Sequence, residues 1–130
     1  MGATLSDQTI PEVRCRIVAG AANNQLAQEE RDGMALHAKE ILYAPDFVIN
    51  AGGLINVYNE LTGDYNQDRA LRMTRGIYLN LMRVFEISKN EKLPTYVAAG
   101  RMAEERIATI KRLGVRHWGR FISNHHPESL

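Results

Sequence analysis

Two short apolar segments, each combined with small residues and an asparagine, constrain the fold of this chain more than any other feature. The first covers residues 16–26 (RIVAGAANNQL) and the second covers residues 45–53 (PDFVINAGG). Glycine and alanine let a backbone approach a ligand closely, and an asparagine side chain both donates and accepts hydrogen bonds. In an open parallel sheet, ligands bind beyond the carboxyl ends of the strands. We therefore expect Asn24 and Asn50 to face one crevice at the end of an α/β sheet.

The strand signals are few. The apolar run Cys15, Ile17, Val18 and Ala19 is closed by a glycine and is typical of a strand buried on both faces. A second strand is predicted at 41–44, and Pro45 directly after it ends the strand. The mixed segment 26–39 between them predicts one or two short helices, because Gly33 interrupts it.

Helical patterns dominate the rest of the chain. After Gly53, apolar residues recur at the spacing of one helix face up to residue 61, and Gly63 is expected to follow the helix end. Longer helices are predicted at 66–89, with Asn66 as the N-cap, and at 94–113. This β-α-β-α order with further helices predicts an α/β fold that forms part of a larger doubly wound sheet.

Composition excludes several classes of function. The 16 basic and 15 acidic residues give a net charge of +1, so no electrostatic footprint for nucleic acid or an anionic membrane is expected. No apolar run approaches the ~20 residues that span a bilayer. The single cysteine, Cys15, cannot form an intrachain disulfide, which predicts a reducing, cytoplasmic setting. Because a free cysteine usually behaves as a small buried hydrophobe, we expect Cys15 to be buried.

The residues alone leave the roles of the candidate site open. Asn24 and Asn50 could hold the carboxamide and a hydroxyl of a nicotinamide riboside, or each could stabilise a local turn. Leu54 and Val57 lie three positions apart after a glycine pair at a helix start, and they could line an apolar ligand pocket or pack in the core.

Other chemistry is poorly represented. His37 lies in a charged segment and is expected to be solvated, and the adjacent His125 and His126 lack cysteines or carboxylates at ligand spacing, so no metal site is predicted. Nucleophile–base sets, Walker loops and Cys-x-x-Cys motifs are absent, and no G-x-G-x-x-G occurs. We assign no catalytic residue, and the phosphate-binding half of a dinucleotide site is not expected in this chain.

The two central segments are specific enough to indicate a family. Residues 17–26 (IVAGAANNQL) and 41–57 (ILYAPDFVINAGGLINV) resemble signature stretches of the leucine, phenylalanine and valine dehydrogenases, which are glutamate dehydrogenase-like amino-acid dehydrogenases. Residues 84–88 (VFEIS) and 103–107 (AEERI) resemble the C-terminal helices of that family. The likeness covers roughly residues 5 to 110, and its central motifs are long and ungapped.

The resemblance implies a fold and a role for the site residues. Residues 1–115 would be the second half of a Rossmann-type NAD-binding domain, with few parallel strands followed by long helices, and residues 116–130 would be a polar tail. Ala22, Asn24 and Asn50 match positions at the nicotinamide end of NAD. Leu54 and Val57 match the substrate side-chain pocket, whose apolar character suits a branched or aromatic L-amino acid, leucine first, because burying an unpaired carboxylate is costly.

The same resemblance implies an incomplete enzyme. Family members oxidatively deaminate an L-amino acid to its 2-oxo acid by transferring a hydride to NAD, and their catalytic lysine lies in an N-terminal domain that has no counterpart here. We therefore expect a truncated chain that is inactive alone. The alternative is a non-catalytic interaction module that forms a homo-oligomer or pairs with the missing N-terminal part, since half a sheet leaves apolar surface to cover.

Overall fold

The computed structural model describes residues 2–61, 63 and 65–112, and it divides after Gly100 into two compact units. The first unit begins with one turn of 3-10 helix at Ile10–Glu12 and contains a β-α-β unit. Its elements are β1 (Ile17–Val18), α1 (Glu29–Ala38) and β2 (Leu42–Tyr43). Four further helices follow: α2 (Asp46–Ile49), α3 (Gly52–Leu61), α4 (Gln67–Glu91) and α5 (Thr95–Arg112).

The two strands pair in parallel, and α1 forms the crossover between them. Ile17 lies opposite Leu42 and Val18 lies opposite Tyr43. The predicted α/β class, a helix-rich fragment of a Rossmann-type fold with few parallel strands, is confirmed.

The prediction that β1 is buried on both faces is wrong. Ile17 is 60% exposed and Cys15 is exposed. Strands of a doubly wound sheet are buried because neighbouring strands and helices cover them. Among the described residues β2 is the only strand paired with β1, so the other edge and one face of β1 stay open.

The core of the first unit lies under the crossover helix. Ile10, Leu36, Ile41 and Tyr43 form a buried apolar cluster, so the N-terminal turn, α1 and β2 share one core. Lys39 Nζ donates hydrogen bonds to the carbonyls of Ile10 (2.9 Å) and Pro11 (2.8 Å). This ammonium therefore ties the N-terminal turn to the end of α1.

Helix α1 continues through Gly33 instead of breaking there. A Cβ atom at this position would overlap the aromatic ring of Tyr96 in α5, so the glycine permits close packing of two helices. The buried Asp32 accepts hydrogen bonds from the Gln28 backbone (2.7 Å) and from the Arg31 guanidinium (2.8 Å). The bonds from Arg31, and then that from Gln28, hold the pKa of the Asp32 carboxyl below its usual range against the opposing effect of burial.

The later helices follow their sequence signals closely. Asn66 caps α4 by accepting a hydrogen bond from the Arg69 backbone (2.9 Å), and Gly63 adopts a φ of +76° beyond α3. Buried Asn59 connects α3 to α4, because its amide donates to the Ile55 carbonyl and accepts from the Arg69 side chain. No described helix is long and apolar enough to cross a membrane. His37 is exposed, while the predicted tail and His125 and His126 lie outside the described residues.

Candidate functional site

The loop after β1 is held in shape by one buried glutamine. Gln25 is only 5% exposed. Its Nε2 donates to the carbonyl oxygens of Gly20 (2.8 Å) and Ala22 (3.0 Å), so the loop folds back on its own last residue. This arrangement satisfies carbonyls that the short β1 strand leaves without a ladder partner.

A carboxylate from the other segment anchors the same loop. Asp46 Oδ2 accepts a hydrogen bond from the Gln25 backbone N–H at 2.9 Å. The Asp46 N–H points to the Tyr43 hydroxyl at 3.4 Å. Burial, and secondarily the negative charge of Asp46, raise the pKa of Tyr43 to about 12, so the phenol stays protonated at neutral pH. Asp46 therefore joins the ends of the two strands.

Asn50 brings the two asparagine-bearing segments together. Its Nδ2 donates to the Ala22 carbonyl at 2.9 Å and to Asn23 Oδ1 at 3.2 Å. The apolar residues before Asn50 form helix α2, so Asn50 follows a short helix, where it occupies the C-cap position. The structure thus places Ala22 and Asn50 in direct contact across 28 positions of sequence.

The backbone conformation at position 24 favours asparagine. Its φ of +51° lies in the left-handed region, where asparagine is favoured over most residues, and its carbonyl accepts a hydrogen bond from the Ala3 N–H at 2.6 Å. The side chain is exposed and makes no hydrogen bond to any residue that the structure describes. The turn conformation therefore leaves the Asn24 amide available to a ligand.

The start of α3 is open on its outer side. A Cβ atom at Gly52 or at Gly53 would meet no atom within 4 Å. Leu54 is 75% exposed and Val57 is 47% exposed, so neither packs in the core of this chain. The alternative that assigned these two residues to the core is wrong, and both can contact another molecule.

Sequence reasoning missed the two residues that organise this site. Gln25 follows the asparagine pair directly, and Asp46 follows a proline that suggested only a turn. Their pairing crosses 21 positions, which no local pattern reveals. Within the described ranges, no group of three or more histidine, cysteine, aspartate or glutamate side chains could hold a metal ion.

Comparisons with known proteins bear on this geometry. No family model matches the chain. The chain is 54% identical over 112 residues to leucine dehydrogenase of Thermoactinomyces intermedius, and 48% identical over 112 residues to L-tryptophan dehydrogenase of Nostoc punctiforme. Phenylalanine dehydrogenase of Caldalkalibacillus thermarum is 44% identical over 113 residues. These alignments cover 86–87% of this chain but only 30–31% of each relative.

A solved structure gives the same result. The crystal structure of L-tryptophan dehydrogenase from Nostoc punctiforme matches with a TM-score of 0.83 and 49% identity, covering 86% of this chain and 33% of that one. In fold and in sequence the chain is therefore similar to amino-acid dehydrogenases over part of their length. The chain is homologous to the C-terminal part of the family that contains the leucine and phenylalanine dehydrogenases, and it spans about 30% of the length of those relatives.

Proposed function

We propose that this chain forms the nicotinamide-end portion of the NAD site in an amino-acid dehydrogenase of the leucine type. The observation that carries the proposal is the pair of bonds from Asn50 Nδ2 to the Ala22 carbonyl and to Asn23 Oδ1. These bonds join the loop after β1 to the turn before α3, so the two asparagine-bearing segments form one polar edge.

The residues at this edge suit the polar groups of a nicotinamide riboside. When bound, NAD would supply the acceptor for the substrate hydride. The free Asn24 amide offers both a donor and acceptors for a carboxamide or a ribose hydroxyl. Asn50 would contribute its remaining amide capacity, and Ala22 would present backbone without a bulky side chain. The open space at Gly52 leaves room for a flat ring to approach.

We further propose that Leu54 and Val57 contact the substrate side chain. Both are exposed at the start of α3, adjoining the proposed cofactor edge in sequence. An apolar wall favours a branched or aromatic side chain over a charged one, because an unpaired buried charge is costly. The relatives named for leucine, tryptophan and phenylalanine support this class, with leucine first.

The isolated chain is expected not to turn over. The residues assigned to the proposed site are carboxamides and apolar groups, and the Asp46 carboxylate beside them is engaged by the Gln25 backbone. Oxidative deamination also requires a positioned general base, which this edge does not provide. Assaying the chain with NAD and L-leucine checks this point, and turnover above background would contradict it.

Ligand-observed NMR tests the cofactor role without requiring activity. In saturation-transfer difference spectra with NADH, we expect the nicotinamide protons to receive clearly more saturation than the adenine protons. Replacing Asn24 or Asn50 with alanine should remove most of that transfer. Asn90→Ala is the matched control, because Asn90 is an exposed asparagine on α4. Adenine-dominated transfer, or transfer unaffected by both site variants, would refute the proposal.

A second candidate function is supported by the exposed apolar face of α3. Leu54, Val57, Tyr58 and Leu61 are all exposed on this one helix. In this alternative the chain is a cytoplasmic interaction module that pairs with the N-terminal part of an amino-acid dehydrogenase. Size-exclusion chromatography with the N-terminal portion of a leucine dehydrogenase tests it: co-elution that Leu54→Glu abolishes supports pairing, and separate elution counts against it.

A further inference from the structure

Helix α4 carries two apolar stripes, of which only one belongs to the core. Ala70, Val84 and Ser88 are buried on its inner side. A second set lies exposed along the helix: Leu71, Tyr78, Leu79 and Met82. At about 100° per residue these four share one side of the helix, roughly opposite the buried stripe. Leu79 is 68% exposed and Met82 is 49% exposed, so an apolar surface is open at the middle of α4.

The charges around this surface follow a symmetric order. Arg75, Leu79, Met82 and Glu86 are separated by steps of four, three and four, so the spacing reads the same from either end. They lie within about 60° of one another around the helix axis. The midpoint of the set falls between residues 80 and 81, with apolar residues inside and opposite charges outside. We refer to these four residues as the palindromic face.

We propose that the palindromic face binds a second copy of this chain, with the two α4 helices antiparallel about a two-fold axis near residues 80 and 81. In that arrangement each Leu79 packs against Met82 of the second copy, and each Arg75 meets Glu86 of the second copy. A two-fold interface requires one patch to be complementary to itself. This order of residues meets that requirement for antiparallel helices, whereas an in-register parallel pair would set Arg75 against Arg75.

Neither charge of the palindromic face is neutralised within the described part of the chain. Arg75 and Glu86 are exposed, and neither takes part in an ion pair there. Their backbones lie about 16 Å apart along the helix, too far for direct pairing. Residues 71, 72, 78 and 79, one turn from Arg75 on either side, are Leu, Arg, Tyr and Leu, so Arg75 has no acidic neighbour within one turn of its helix. Glu86 has Arg83 and Lys89 one turn away, but neither lies within ion-pair distance of it.

The proposal is independent of the proposed cofactor role. None of the four residues contributes to the edge formed by Ala22, Asn24 and Asn50, and the face lies on a different helix from Leu54 and Val57. Self-association can therefore hold whether or not the chain binds NADH.

Sedimentation equilibrium of the 130-residue chain over a wide concentration range tests the pairing. We expect a monomer–dimer equilibrium that Leu79→Glu abolishes. Arg75→Glu should raise the dimer dissociation constant by about tenfold or more, because two ion pairs become two like-charge contacts. Combining it with Glu86→Arg should return the constant to within about threefold of the original. Arg14→Glu is the control for the change of net charge.

The double variant Arg75→Glu/Glu86→Arg tests the pairing between copies most directly, because residues 75 and 86 are too distant to pair within one helix. Recovery in the double variant can then come only from contact between copies. If the chain stays monomeric over the whole concentration range, the proposal is overturned, whatever covers the palindromic face. A dimer insensitive to Arg75→Glu, or one that the swap fails to restore, would overturn it equally. Circular dichroism of each variant verifies that the fold is retained, as the exposure of all four positions predicts.

Discussion

The β-α-β unit and the outer faces of α3 and α4 use apolar residues in opposite ways. Around the former, Leu36, Ile41 and Tyr43 are buried in one cluster with Ile10 of the N-terminal turn. On the latter, Leu54, Leu61 and Leu79 are exposed although their spacing is equally helical. Periodicity therefore identifies an amphipathic helix but not the molecule that its apolar face contacts. The buried cluster supports the fold, and the exposed faces are open to contact with another molecule.

Truncating one leucine in each region tests this difference in burial with the largest expected effect. Leu36→Ala should lower the free energy of unfolding by about 2–5 kcal/mol, because it leaves a cavity in the core. Leu61→Ala, on the exposed side of α3, should change it by no more than about 0.5 kcal/mol. Urea unfolding followed by circular dichroism measures both. Equal effects would mean that the two regions do not differ as described.

A smaller change tests the close packing that the first unit requires. Gly33→Ala should destabilise the chain by about 1–3 kcal/mol, because the added methyl group overlaps the Tyr96 ring. Helix propensity alone would favour alanine by about 1 kcal/mol, so the sign of the effect decides between packing and propensity. Gly76→Ala on α4 is the control that propensity should stabilise, because a Cβ atom there would meet no atom within 4 Å. A stabilised Gly33→Ala variant would contradict the packing account.

Removing the carboxylate that joins the two strand ends should have a comparable or smaller effect. Asp46→Ala leaves the Gln25 N–H without its acceptor, which should cost about 1–3 kcal/mol. Amide hydrogen exchange at Gln25 should accelerate more than exchange in the middle of α4. Unchanged protection at Gln25 would show that Asp46 does not hold the loop.

The smallest expected effect is the contribution of Asp32 to acid stability. Because its pKa is lowered in the folded chain, its contribution is present above the unfolded pKa near 3.8 and disappears as the pH falls through the folded value. Asp32→Asn should therefore flatten the loss of stability below about pH 4. Thermal unfolding across that acid range measures the slope, and an unchanged slope would contradict the assignment.

Local chemistry explains which features could be predicted from the sequence. The cap at Asn66, the glycine that follows α3 and the β-α-β order each depend on residues close together in the chain, and the structure contains all of them. The prediction that Cys15 is buried is wrong, because burial depends on neighbouring strands and helices, and among the described residues only β2 pairs with β1. The roles of Gln25 and Asp46 depend on a contact between distant segments, which no periodicity encodes.

The central claim is that the two asparagine-bearing segments form one site for the nicotinamide end of NAD. Titrating the ¹⁵N-labelled chain with nicotinamide mononucleotide tests it most directly. We predict that the side-chain amide resonances of Asn24 and Asn50 shift together and fit a single dissociation constant, while that of Asn90 does not move. If only one of the two responds, or neither does, the segments do not form a common site and the claim fails.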